Sequence, residues 1–317
     1  MISYVIRRLM IASTVILGVS ILVFLALHMA PGDPVDMLIP PDVAGRASPE
    51  YIEQVRSQWG LDKPLHLQFF DFVNRVVRLD MGRSMRTNRP IGADLLLRYP
   101  ATMELGLASL LIANVIGISV GVAAATKRNS TLDNMVRPMS FMGISMPSFW
   151  QGLLLMLLFA YYLDWLPASG RGGPVYTLEG LRHIILPAIT MGTASSALLV
   201  RLVRSSMLTV LNEDYVRTAR AKGLSERVVV YRHALRNAMV PVITIVGIQV
   251  GAILGGAVVI ESVFAWPGVG RFMITGINGR DFPVVQASVL VVATTFVLVN
   301  VIVDIVYAVV DPRIRYS

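Results

Sequence analysis

Apolar residues in this chain come in long runs, separated by stretches that hold most of the charges. One run extends from about Leu9 to Leu27. Others begin near Ala101, Met135, Ile184, Met239 and Val284 and continue for about 20 residues or more, the length a helix needs to cross the hydrocarbon of a bilayer. The pattern predicts an all-α integral membrane protein with six transmembrane helices. Arg7 and Arg8 ahead of the first run give it a superficial likeness to a secretory signal peptide, but its apolar core exceeds a signal h-region. It is therefore expected to stay as the first membrane helix. The expected organisation is a first span over 1–30, a helical extracytoplasmic insertion over 31–99, and a five-helix core over 100–310 with a cytoplasmic loop at 205–238. A cytoplasmic C-terminal tail over 311–317 completes it.

Within the insertion, Ser48 before Pro49 and Glu50 reads as an N-cap with proline in the first helical turn, and Gly60 as a stop. After Pro64, the residues Phe69, Phe72, Val73, Val76 and Val77 recur at helical spacing, with Asp71, Asn74, Arg75 and Arg78 opposite. This second helix is expected to lie on the membrane or to pack over the bundle, as a simple cap or as a docking platform.

Composition agrees: 55% of the 317 residues are hydrophobic and 15% charged, with mean hydropathy +0.64. The charge of +8 does not point to nucleic acid, because the cations sit between apolar runs and do not form one solvated face. They set orientation instead. Lys127, Arg128 and Arg137 flank one short loop, and Arg201, Arg204, Arg217, Arg220, Lys222, Arg227, Arg232 and Arg236 crowd another, which places that loop and both termini in the cytoplasm. With no cysteine the chain has no disulfide, thiolate metal site or cysteine nucleophile, and His28, His66, His183 and His233 lack metal-ligand spacing.

Charged side chains inside a bilayer cost about 2.5 to 3.5 kcal/mol at a helix centre, so Glu104 and Asp304 stand out. Asp304 lies one turn from Asn300, which leaves a structural contact or a proton relay as its two readings. The third run holds Gly143, Ser145, Pro147, Ser148 and Gln151, and the fourth holds Pro187, Gly192 and Thr193. Prolines there free backbone carbonyls that lipid cannot satisfy, so these kinks are expected to face protein or a watery path. Gly247, Gly251 and Gly255 in the fifth run have the spacing that lets another helix approach closely. Ser145, Ser148 and Gln249 are the candidate path-lining residues.

The most specific stretch is the crowded loop, Glu213-Asp214-Tyr215-Val216-Arg217-Thr218-Ala219-Arg220-Ala221-Lys222-Gly223. It predicts two short helices with a break at Gly223, the acids near the positive end of the first dipole, Arg220 and Lys222 near its negative end, and Ser225 capping the second. Val216, Ala219 and Gly223 share a face, a low-relief strip onto which another protein could dock; a basic helix resting on anionic lipid is the alternative.

This stretch resembles the cytoplasmic EAA loop of permease subunits in ATP-binding-cassette importers, in the form found in the dipeptide, oligopeptide and nickel branch. The resemblance extends to Pro31-Gly32-Asp33-Pro34, Gly60-Leu61-Asp62-Lys63-Pro64, Trp266-Pro267-Gly268-Val269-Gly270-Arg271, Arg280-Asp281-Phe282-Pro283 and Asp311-Pro312-Arg313-Ile314-Arg315-Tyr316. Arg217 and Thr218 stand where the general pattern has Glu and Ala, and Arg236 replaces a later proline, departures that look like the peptide branch itself. The resemblance implies that residues 213–223 form a coupling helix seated in a groove of an ATPase. It also implies a homologous second permease, two cytoplasmic ATPase subunits that bind ATP and Mg, an extracytoplasmic substrate-binding protein, and residence in a bacterial inner membrane. The cargo would be dipeptides or oligopeptides, or nickel chelates or glutathione within the same branch. No cofactor is expected in this chain, which lacks a phosphate-binding Gly-x-x-x-x-Gly-Lys-[Ser/Thr] loop, and it is not expected to be an enzyme. An intramembrane serine protease fits poorly, since Gly143-Ile144-Ser145-Met146 lacks the usual final glycine and the last three runs lack histidine. An ion-gradient carrier is the stronger rival, but it has no use for a docking strip.

Overall fold

The computed structural model describes residues 2–29, 35, 39 and 48–310. The motifs at 31–34 and 311–316 and the tail at 311–317 lie outside them. In order, the helices are α1 (Ile2–Met29), α2 (Pro49–Gln58), α3 (Leu65–Val77), α4 (Ile91–Thr126), α5 (Thr131–Ser145), α6 (Ser148–Met156), α7 (Leu178–Leu211), α8 (Asp214–Ala221), α9 (Glu226–Val228), α10 (Leu235–Val263), α11 (Val269–Asn278) and α12 (Phe282–Val310). Two π-helical turns, Leu157–Tyr162 and Val229–Ala234, continue α6 and join α9 to α10. Among the described residues five helices are long and apolar enough to cross a membrane, and the count reaches six if the bent pair α5 and α6 forms one span. That agrees with the six expected spans.

Two boundaries differ from the apolar runs. Helix α4 starts at Ile91, well before Ala101, and carries Pro100 inside it. The third apolar run is broken: α5 and α6 meet at 106°. A residue before proline is pushed out of the α region, and Met146, ahead of Pro147, is extended with φ −81° and ψ 126°.

The chain divides into two compact units, residues Met1–Ala101 with Pro267–Val301, and Thr102–Trp266 with Ile302–Ser317. In the first, Ile91, Leu95, Val269, Val284 and Ala287 form a core. Ser48 caps α2 by accepting from Tyr51 N, and Gly60 ends the segment at φ +68°, the left-handed conformation its role as a stop requires. Helix α3 packs through Phe69 edge-on to Phe24 of α1, 5.4 Å apart, and Gln68 meets His28 at 3.2 Å. Val77, on the apolar face with Phe69 and Phe72, is exposed. Asp281 binds the 84–86 segment to the head of α12: it accepts from Ser84 Oγ at 2.5 Å, Met85 N at 3.1 Å, Arg86 N at 3.4 Å and Val284 N at 3.4 Å.

In the second unit, Leu199, Val203 and Met207 of α7 meet Val230, Ala234, Ala238 and Val242, rows recurring every fourth residue as ridge-into-groove packing needs. Close approach of α4 to α7 depends on Gly117 and Gly121, where a Cβ would lie 2.5 Å from Leu199 and 2.7 Å from Val203. The fifth run's Gly255, expected to admit a neighbour, faces open space. Glu104 and Glu261 are both hydrogen-bonded. Arg171 Nη2 donates to both Glu104 oxygens at 2.8 Å, and Thr102 Oγ1 donates to the fully buried Glu261 at 2.6 Å. Asp304 and Asn300 lie one turn apart on α12, both half-buried.

Candidate functional site

The loop singled out by sequence is an elbow. Helix α8 begins at Asp214 after Glu213, whose extended backbone makes it the N-cap, although no side chain caps the helix there; the same holds for Ser225 before α9. Between them Gly223 turns the chain at φ +77°. An added Cβ there would meet nothing within 4 Å, so glycine is present for the left-handed turn and not for a close contact inside the chain.

The low-relief strip is not free to dock. Val216 and Ala219 are buried against Val229, with Val210 and Leu211 packed alongside, so the chain's own residues cover the apolar face. This corrects the expectation of an open apolar strip, because α8 folds back on α7 and the turn leading to α10. What faces outward is polar: Asp214, Arg217, Thr218, Arg220 and Lys222 are exposed, and Ala221 and Gly223 with them.

Two contacts hold the elbow closed. Arg220 donates to Glu226 from Nε at 3.1 Å and from Nη2 at 2.7 Å, a two-point clamp across the Gly223 turn. The hydrogen bonds Arg220 gives to Glu226 raise the guanidinium's pKa above its ordinary value, so the cationic half of the clamp keeps its charge. Tyr215, at the other end, accepts at its hydroxyl from Asn237 Nδ2 at 2.7 Å. Arg217 and Asp214 also approach to 3.3 Å, an exposed pair that contributes little.

A second anchor escaped the sequence reading. Asp133, wholly buried, accepts from Arg204 Nε at 2.6 Å and Nη2 at 3.0 Å, from Arg137 Nη2 at 2.6 Å and from Asn129 N at 3.0 Å. It binds the start of α5 to α7 about two turns before α7 ends at the elbow. The i,i+4 spacing of Asp133 and Arg137 was a legible signal; Arg204, far along the chain, was not.

The candidate path residues do not come together. Ser145 is exposed and Ser148 half-buried at the α5–α6 break, whereas Gln249 is buried on α10 and donates from Nε2 to Ser195 O of α7 at 2.8 Å. No hydrogen bond joins the three among the described residues. Gln249 Oε1 is buried without a partner among those residues.

The elbow is a small projection with a self-filled apolar interior and a polar outward face. Residues 117–316, elbow included, match the model of the family described as binding-protein-dependent transport system inner membrane component. The chain belongs to that family. The model of the family's N-terminal part matches residues 1–106. Full-length relatives include the di/tripeptide transport system permease protein of Pseudomonas aeruginosa, 43% identical with 100% of both chains covered. The dipeptide transport system permease protein of Alkalihalophilus pseudofirmus is 40% identical, and the glutathione transport system permease protein of Salmonella typhimurium 43%, each over 100% of both chains. Among solved structures, an inward-facing conformation of the MetNI methionine ABC transporter matches the fold with TM-score 0.59 at 18% identity, covering 70% of this chain and 99% of that one. This multi-pass inner-membrane permease is the transmembrane subunit of an ATP-binding-cassette importer, a transport component and not an enzyme, working in a system with an ATPase and a binding protein.

Proposed function

We propose that this permease forms half of the path by which short peptides, delivered by an extracytoplasmic binding protein, enter the cell. The observation that carries the reading is its full-length likeness to di/tripeptide and dipeptide permeases at 40–43% identity. The working assembly pairs it with a homologous permease and two ATPase subunits that bind ATP and Mg. Both termini and the 205–238 loop lie in the cytoplasm, and the insertion after the first span lies outside. Residues 213–223 serve as the coupling helix, with Asp214, Arg217, Arg220 and Lys222 meeting the ATPase and Val216 and Ala219 holding the helix to its own chain. Closure of the ATPases on nucleotide moves the elbow, and the bundle switches the side its path faces. Ser145, Ser148 and Gln249 remain the proposed path residues, Gln249 Oε1 being buried without a partner among the described residues.

Glutathione is the second reading, favoured by the 43% identical glutathione permease. ATP-driven uptake by the complete complex in proteoliposomes separates the two: labelled dialanine accumulates and glutathione does not if the first holds. Robust uptake by this chain alone without nucleotide would overturn both.

A further inference from the structure

The first unit holds a cavity of about 410 Å³ beside the heads of α4 and α12, and its charge is lopsided: Arg86, Arg89, Arg98 and Arg271 line it against Asp94 and Asp281. Neither carboxylate is spare. Asp281 is occupied by Ser84 and the backbone of the 84–86 segment, and Asp94 pairs with Arg89 at 3.3 Å. Arg98 differs. Its guanidinium lies over the Phe272 ring, 4.6 Å from the centroid, and its shielded Nε has no hydrogen-bond partner among the described residues. Stacking on an aromatic face occupies the flat side of a guanidinium and leaves its N–H edge for a planar acceptor, the geometry in which arginine takes a carboxylate with two parallel bonds. Leaving such a donor shielded and unused is costly, and the space exceeds what a water or a bare ion fills.

We infer that this cavity receives the carboxylate of the transported solute, with Arg98 as the ligating group, Phe272 as the plate that orients it, and the remaining arginines supplying an attractive field. The inference rests on the peptide reading for the nature of that solute, since every short linear peptide ends in a carboxylate. Asp281 acts as a positioning residue by fixing the wall that carries Arg86.

The test uses the complete permease–ATPase complex in nanodiscs without its binding protein. The probes are labelled dialanine, its C-terminal amide, and glutarate as a carboxylate that is not a peptide. Dialanine should bind at least about tenfold more tightly than the amide, as two charged hydrogen bonds require. Arg98→Gln should abolish that preference, and Arg98→Lys should restore only part of it, because an ammonium lacks the planar fork. If Arg98 variants assemble poorly, the acid-to-amide ratio in the unaltered complex and in Phe272→Leu still decides. Equal binding of acid and amide, or a preference unchanged in Arg98→Gln, overturns the site while leaving peptide uptake intact. Arg98-dependent glutarate binding without dialanine uptake supports the site and removes the peptide reading instead. If no probe binds and Arg98→Gln instead weakens capture of the binding protein, the cavity takes an acidic side chain of that partner, and the inference is wrong.

Discussion

Gly223 shows how differently one residue reads in sequence and in space. The sequence suggested a glycine that lets a partner approach; the structure gives it φ +77° and open space for a Cβ. Its substitution therefore acts through backbone strain. Gly223→Ala should destabilise the elbow by roughly 1 kcal/mol and slow ATP-driven uptake, while Gly223→Asn, better suited to left-handed backbone, should retain most of it. Similar loss in both variants would return the argument to contact with the ATPase. Asp133 is the residue whose removal should cost most. Asp133→Asn leaves two cations facing a neutral amide, one of them mostly buried, an imbalance of about 3 kcal/mol. The temperature of half-inactivation should fall sharply, and Arg204→Met in the same chain should recover part of the loss.

At the scale of elements, α3 and the α4–α7 contact carry distinct expectations. Lys63 bonds Asp71 of α3 at 2.7 Å and holds its carboxyl below the ordinary value of 3.8, with Arg75 adding to the effect. A depressed acid stabilises above its ordinary range and loses that contribution as pH falls through the lowered value. The protection factors of α3 amides, corrected for intrinsic exchange at each pH, should therefore be steady near neutrality and fall only in acid, and Lys63→Met should remove that acid-dependent fall. Gly121→Leu would drive a side chain into Val203 and the Val200 carbonyl, parting α4 from α7, so the complex should fail to assemble in native gels while Gly255→Leu assembles normally. These elements also mark where sequence sufficed. Run length located the spans, because hydrocarbon thickness is a fixed ruler, and Ser48, Pro49 and Gly60 fixed α2 by local rules. Helix α4 began early because Ile91–Tyr99 extends the helix beyond the apolar ruler. The elbow's position and two-helix form were legible from charge and Gly223, but its inward face was not: a pattern shows that Val216 and Ala219 share a side, and only the fold shows that Val229 already fills it. Asp133 and Arg204 were illegible as a pair for the same reason, since seventy-one positions separate them.

For the whole molecule, the bend at Met146–Pro147 has a consequence out of proportion to its size. Crossings are counted by parity. If α5 and α6 together traverse the bilayer, the chain makes an even number of passages and its two ends share a compartment; if they dip in and return, the number is odd and everything after Tyr162 is inverted, elbow included. A native sequence without a single thiol makes the arithmetic directly readable. Cysteines introduced at Arg128 and at Tyr176 should react with an impermeant maleimide from opposite faces of sealed vesicles. Labelling of both from one face would put the elbow beyond the reach of any ATP-consuming partner, so a turn of one peptide unit before a proline determines whether the energy source and its lever occupy the same aqueous space.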